Sequence, residues 1–214
     1  MTTFDSELLL DALAGRRSIG PRGLVGPGPS FDDLQRAAEL ALRAPDHRAL
    51  RPFRFVHVGS DERAALADLF EQAAVSQGRD GEGCAAARAR ASSGPVLLAV
   101  VARIRDDLPD VPPHEQWLCV GAAVMNLLNA LHLMGHGAKV LGGSAAQTQA
   151  VRQAFCHEGE ALACWVIAGT PVGESPPPSL PRSPATLRGL LTDWSPLQVA
   201  DTATPASAAN RYQA

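Results

Sequence analysis

Lysine is nearly absent from this chain. Lys139 is the only one among 214 residues, so almost every positive charge is an arginine. Schiff-base chemistry therefore has a single candidate residue, whereas planar, bidentate work on phosphate or carboxylate has many. A basic excess is lacking as well. The formal net charge is -3 and the pI is near 6.1, and no basic stripe carries interleaved aromatics, which argues against a bulk electrostatic grip on nucleic acid or an anionic membrane. Neither is an expected partner. Cysteine is scarce and unpaired: Cys84, Cys119, Cys156 and Cys164 lie far apart with no C-x-x-C, the pattern of free thiols buried in a reducing cytoplasm. A cytoplasmic location is expected on a second ground. Met1 to Glu7 is acidic where a signal peptide is basic, and Leu8-Leu9-Leu10 is too short for its apolar core.

Several catalytic motifs are missing. There is no G-x-S-x-G elbow of a hydrolase and no G-x-G-x-x-G of a dinucleotide fold. His132 and His136 stand four apart, but Leu133 occupies the place of the glutamate in H-E-x-x-H and no third ligand is evident, so no metal site is expected. Gly137 to Ser144 imitates the spacing of a P-loop, yet no lysine precedes Ser144 and no strand of the required kind leads in. The glycine pair at 142 and 143 still lets a ligand approach the backbone closely. The longest apolar stretch, Trp117 to Met134, is interrupted by Asn126, Asn129 and His132, which suits a buried core helix better than a membrane span.

What is present is the composition of a globular domain. With 46% apolar and 19% charged residues, disorder of the whole is excluded, and the length suits one domain, or one domain with a long appendage. The chain is organised around Arg43-Ala-Pro-Asp-His47. A helical run ends there, Pro45 forbids its continuation, and Arg51 to Val58 reads as a strand. An arginine and a histidine thus stand at a helix-to-strand corner, either held for function or as an ordinary turn with a surface histidine.

Elsewhere the periodicity predicts a first helix ending at Gly15, which leaves Arg16-Arg17-Ser18 just beyond it. That triplet is suited to an anion, or else it simply complements a helix C-terminus. Residues 20–29 read as a loop. Ser30 with Asp32 and Asp33 opens a helix bearing Leu34, Ala37, Ala38, Ala41 and Leu42. Ser60 with Glu62 opens another, through about residue 76. Gly78 to Gly83 reads as a mobile polar loop before a short alanine-rich helix reaching Arg90. Pro95 to Ile104 is a central strand buried on both faces, and Ala161 to Gly169 is a second buried strand. Between them, His114 to Gly135 is a long helix apolar nearly all round, which needs enclosure, most simply by a second subunit; Gly121 would permit the close approach. Another helix carries Val151, Ala154 and Phe155. Prolines accumulate from Pro171 to Pro184, and the remaining tail reads as an extended arm.

Taken together, Arg16-Arg-Ser-Ile19, Arg43-Ala-Pro-Asp-His47, the Pro52-Phe-Arg-Phe strand, Glu115-Gln116 opening the long helix, Val151-Arg-Gln-Ala-Phe155 and Ile167-Ala-Gly-Thr-Pro171 resemble the nitroreductase family, most closely its compact YdjA-like branch of NAD(P)H nitroreductases. The resemblance covers about residues 6–171. It implies an α+β fold with a mostly antiparallel sheet surrounded by helices, an intertwined homodimer, a domain at 1–171 that binds FMN, and a Pro-rich C-terminal arm at 172–214. By position in the family pattern, Arg16, Arg17 and Ser18 would contact FMN, with Arg43 and His47 reaching it from the other subunit. Val140, Leu141 and Gly142 would line the flavin by their backbone. Ala130, Leu131, His132, Leu133, Met134 and Gly135 correspond to the segment assigned to the nicotinamide cofactor. No side chain is singled out as catalytic, since the flavin carries the reaction.

Two positions depart from the pattern. The branch has an arginine where this chain has Leu141, with Lys139 or Arg188 as candidate replacements for its charge, and Phe53 stands in place of a usual tryptophan. The implied activity is a ping-pong FMN-dependent NAD(P)H oxidoreductase that passes electrons to nitroaromatic, quinone or similar flat acceptors. Two alternatives stay open: a specialised flavin oxidase or dehydrogenase of a biosynthetic pathway, and a flavin-poor binding or structural homodimer of the same fold.

Overall fold

The Val-Leu-Leu-Ala-Val-Val-Ala run forms β3 (Val96–Ala102), and every one of its side chains is buried. It lies between two antiparallel partners, β2 (Phe53–Val58) and β5 (Ala161–Pro171). In the computed structural model, which describes residues 5–142 and 148–173, these strands are the centre of a five-stranded sheet. Two further strands pair with β5, β4 (Gly137–Leu141) along its middle and the two-residue β1 (Leu24–Val25) at its last residues. All strand pairs are antiparallel, as expected.

Helices cover both faces. Alternation along the strands sends Leu98, Val100, Val166 and Ala168 to one side, where they pack with α2 (Phe31–Ala41) and α5 (Pro113–Leu133). Leu97, Val101, Trp165 and Ile167 go to the other side, against α3 (Arg63–Ser76), α4 (Gly81–Ala89) and α6 (Gln149–Phe155). A bulge between Val100 and Val101 in the β3–β5 register places both Ala163 and Cys164 against the α5 face. Each fully buried Leu, Ile or Val contributes roughly 1.5–3 kcal/mol relative to exposure. Trp165 anchors its face through edge contacts with Phe70 at 5.4 Å and Phe155 at 5.0 Å. Arg54 of β2 reaches across to Glu160 with paired bonds of 2.9 and 2.6 Å, and also donates to the Phe155 carbonyl at 2.6 Å.

The helix starts follow the caps where the caps are real. Asp5 caps α1 (Ser6–Ala14), and Ser30 forms a reciprocal capping box with Asp33. Ser60 does not cap α3: its hydroxyl turns to Asp61, and the helix starts after Glu62 with no side-chain cap. The segment read as a loop to Gly83 is helical from Gly81, because the Asp80 carboxylate accepts from the Gly83 N–H at 2.8 Å. Leu24–Val25 escapes the expected 20–29 loop by pairing with the end of β5. The strand β4, which the sequence reading lacks, exists because β5 offers it an edge.

Helix α5 satisfies only half of its expectation. Val120, Leu127 and Leu131 are in the core, while Leu118 is 70% and Met125 40% exposed, and Gly121 between them is also open. By length and composition it is the one helix among the described residues able to cross a membrane, but its buried face belongs to the sheet. Gln116, fully buried, accepts from Arg105 N–H at 2.8 Å and donates to the carbonyls of Arg105 and Val111 at 2.7 and 2.8 Å, which ties the preceding loop to the helix. The chain divides into two units, Met1–Pro178 and Ser179–Ala214. Of the expected arm at 172–214, all but Val172 and Gly173 lies outside the described residues, as do Gly143, Ser144 and Arg188.

Candidate functional site

Helix α1 closes with Gly15 donating to the Asp11 carbonyl at 2.9 Å and Arg16 to the Leu13 carbonyl at 3.1 Å. Ser18 then bridges Ala138 in parallel, and the Ile19 N–H bonds the Ala138 carbonyl at 3.1 Å, so the Arg16-Arg17-Ser18 triplet is fastened to the outer edge of β4. Helix α5 ends beside it in a Schellman turn. Gly135 takes φ +87° and donates to the His132 carbonyl, while His136 donates to the Leu131 carbonyl at 2.8 Å. The three pieces enclose a pocket of about 190 Å³, lined among others by Arg16, Arg17, His132, His136, Ile19 and Pro171. No carboxylate of the described residues lines it.

The histidines are structurally occupied on one side. His132 Nε2 lies 2.8 Å from the Ala12 carbonyl and ties α5 to α1. His136 Nε2 faces Asp33 Oδ2 at 3.7 Å, an ion-pair distance. Asp33 is held below its usual carboxylate range, chiefly by the hydrogen bonds from Ser30 and then by His136. The Arg16 guanidinium has no hydrogen-bond or ion-pair partner among the described residues.

A second cluster surrounds the Arg43–His47 corner. Pro45 ends the helical turn, and the Asp46 carboxylate accepts from Leu50 N–H at 3.1 Å and Arg51 N–H at 2.8 Å. Inside that clasp Arg48, Ala49 and Arg51 adopt φ of 65°, 51° and 49°, a left-handed conformation that non-glycine residues seldom hold without such support. His47 Nδ1 lies 3.0 Å from Glu115 Oε2 in the first turn of α5, and Arg48 pairs with Asp110. Arg43, Asp46, Arg51 and Phe53 line a pocket of about 390 Å³.

These two clusters do not meet within one chain. One sits at the start of α5 and the other at its end, and from Glu115 to His132 the helix rises roughly 25 Å. Of the segment 130–135, Ala130 and Leu131 are buried in the core, Met134 is half-buried against it, His132 and Gly135 line the first pocket, and Leu133 is exposed without lining it. Val140 and Gly142 are exposed, whereas Leu141 packs on the α3–α6 side of the sheet. Alternation along β4 puts Lys139 on the same side as Leu141, away from the pocket at Ala138. His136, Asp33, Asp46 and Glu115 are the residues that the sequence reading left without a role in a site. The available signal for Asp46 was an aspartate directly after the proline that ends a helical run, a residue type whose carboxylate bonds nearby backbone N–H groups in turns.

The remaining chemistry is quiet. Burial pushes the Cys119 and Cys164 thiols up to about 11, so neither is a thiolate nucleophile at neutral pH. No cluster of metal-ligating side chains occurs among the described residues.

An antiparallel sheet covered by helices on both faces, with arginine clusters at the two ends of its longest helix, defines a recognisable class of fold. A crystal structure of a nitroreductase-like family protein from Bacillus cereus matches 91% of this chain and 100% of its own, with a TM-score of 0.72 at 18% identity. A crystal structure of a point mutant of the FMN and NADPH-dependent nitroreductase NfnB, derived from sphigopyxis sp. strain HMH, matches 88% of this chain and 99% of its own, with a TM-score of 0.65 at 19% identity. At those identities the likeness establishes the fold. The sequence goes further. Residues 13–170 match the model of the nitroreductase family, and the chain is 31% identical over 163 residues to "Putative NAD(P)H nitroreductase YdjA" of Escherichia coli (strain K12), covering 76% of this chain and 87% of the relative. The chain belongs to the nitroreductase family.

Proposed function

We propose that this protein is an FMN-dependent NAD(P)H oxidoreductase acting as a homodimer, with a nitroaromatic, quinone or similar flat molecule as electron acceptor. The observation that carries this reading is the separation of the two arginine clusters along α5. A two-fold axis near the middle of the helix would bring the start of one α5 beside the end of another. The stripe Leu118, Gly121 and Met125 is apolar, open and centred on that position. Burying such a stripe between two copies removes the exposure that one chain leaves. The names of similar proteins support the cofactors: NfnB is an FMN and NADPH-dependent nitroreductase, and the YdjA relative carries NAD(P)H in its name.

The residues present fit a flavin mononucleotide. A phosphate needs cationic donors, and Arg16 and Arg17 line a pocket that no carboxylate of the described residues lines. A pyrimidine edge needs backbone donors and acceptors. The Ala138 carbonyl points to the outer edge of β4, so the two-residue repeat points the N–H and carbonyl of Val140 the same way, where no strand lies among the described residues. In this reading Arg16, Arg17, Ser18 and the Val140-Leu141-Gly142 backbone hold the flavin, and Arg43 and His47 come from the second copy. Surface at His132, Leu133 and Gly135 receives the nicotinamide donor. What the bound flavin supplies is hydride acceptance from NAD(P)H and, in a second half-reaction, delivery of the electrons to the acceptor. The arginines contribute fixed positive charge where negative charge accumulates. Asp46 holds the corner that presents Arg43 and His47, and Glu115 orients the imidazole.

The first test is an absorbance spectrum of the purified protein before and after anaerobic NADPH, with and without added FMN. Flavin bands that bleach on NADPH are the expected result. A protein that remains colourless and ignores added FMN would overturn the reading in favour of a flavin-free dimer of the same fold.

A further inference from the structure

The pocket between the ends of α1 and α5 holds four basic side chains, Arg16, Arg17, His132 and His136, and no carboxylate of the described residues lines it. Two permanently charged guanidinium groups beside two imidazoles that can donate hydrogen bonds suit an anion. The four are not equivalent. His132 spends Nε2 on the Ala12 carbonyl and serves as a strut between two helices. His136 is different: its backbone is pinned by the Schellman turn, its side chain is only 17% exposed, and Nε2 is turned to Asp33. Nδ1 is the ring nitrogen left for a ligand. Asp33 is itself engaged by the Ser30 N–H and hydroxyl at 3.0 and 2.7 Å, so its charge is partly spent within the α2 cap and stays out of the pocket lining.

We infer that His136 is a ligand for a phosphate monoester dianion in this pocket, donating from Nδ1 beside the Arg16 guanidinium. A rigid, nearly buried imidazole complements a flexible arginine by fixing the anion in direction as well as in charge. The inference rests on the reading of this pocket as the phosphate end of a cofactor site. It assigns a residue that neither the P-loop-like spacing nor the H-x-x-x-H spacing had pointed to for this purpose. Two cofactors carry such a group, FMN at its terminal phosphate and NADPH at its ribose phosphate, and each has a natural partner lacking it, riboflavin and NADH.

The test measures dissociation constants of FMN and riboflavin by flavin fluorescence quenching, and of NADPH and NADH by calorimetry. It uses the flavin-stripped full chain for the first pair and the reconstituted protein for the second. His136→Gln is expected to weaken FMN about tenfold, or about 1.4 kcal/mol, while riboflavin affinity stays within about twofold, and His136→Lys is expected to restore most of the loss. A tenfold fall confined to NADPH over NADH would support the same phosphate role and assign it to the donor. Equal loss for FMN and riboflavin, or no change in either ratio, would overturn the role of His136 while leaving a flavin protein intact. A wild-type chain that binds no flavin and no nicotinamide would overturn both the inference and the function it rests on. Matching melting temperatures of wild type and His136→Gln exclude misfolding as the cause of a loss.

Discussion

At the scale of single residues, the chain separates charges that are paired within the fold from charges that have no partner among the described residues. Arg54 and Glu160 belong to the first kind. The guanidinium holds the Glu160 carboxyl down at about 2, from an ordinary value of 4.5, with help from the His157 N–H. A carboxylate depressed on folding stabilises the protein above its unfolded pKa and loses that contribution as pH falls toward the folded one. Glu160→Gln should therefore cost on the order of 2 kcal/mol at pH 7. The difference in denaturation free energy between wild type and variant should shrink as the pH falls from 4.5 toward 2. A constant difference across that range would show that packing, not charge, sets the effect. Arg16 is of the second kind. Arg16→Ala should weaken FMN binding roughly 10- to 100-fold, the worth of a charge-assisted hydrogen bond, with little change in melting temperature. Unchanged flavin content in the purified variant would remove Arg16 from the site.

At the scale of elements, α5 decides most of the molecule's behaviour. Its inner face closes the core, and its ends carry the two arginine clusters. Its outer stripe has no partner among the described residues. A Leu118→Glu, Met125→Glu double variant leaves the inner face untouched, so helical circular dichroism should survive. If the proposed dimer forms through this stripe, light scattering should report a dimer for the wild type and a monomer for the variant, and the variant should lose flavin, since in that proposal Arg43 and His47 come from the second copy. A dimeric double variant would mean that another surface joins the copies. The α2 cap offers a simpler check. Ser30→Ala removes the two hydroxyl bonds with Asp33 while keeping the one from its own backbone N–H and should cost about 1 kcal/mol, read as a lowered midpoint in urea.

At the scale of the whole molecule, elements that depend on local pattern were readable in advance. β3 is legible because seven apolar residues in a row require burial on both faces, and α2 because Ser30 and Asp33 announce its start. The family was legible because Arg16-Arg-Ser18 and Arg43-Ala-Pro-Asp-His47 are local strings, and membership stands on the match at 13–170. β4 was not legible, since a five-residue edge strand holding Gly137 and Lys139 gains its bonds from β5, far off in sequence. Of the loop expected at Gly78 to Gly83, residues 81–83 are instead the start of α4, where the Gly83 N–H bonds the Asp80 carboxylate. Nor could spacing alone place His136 beside Arg16, or put the two arginine clusters at opposite ends of one helix. Local order thus followed from residue type and periodicity, whose causes act within a few residues. The pocket, the open face of α5 and the pairing of Arg54 with Glu160 were decided by contacts between segments distant in the chain, because only packing brings such groups within hydrogen-bond reach.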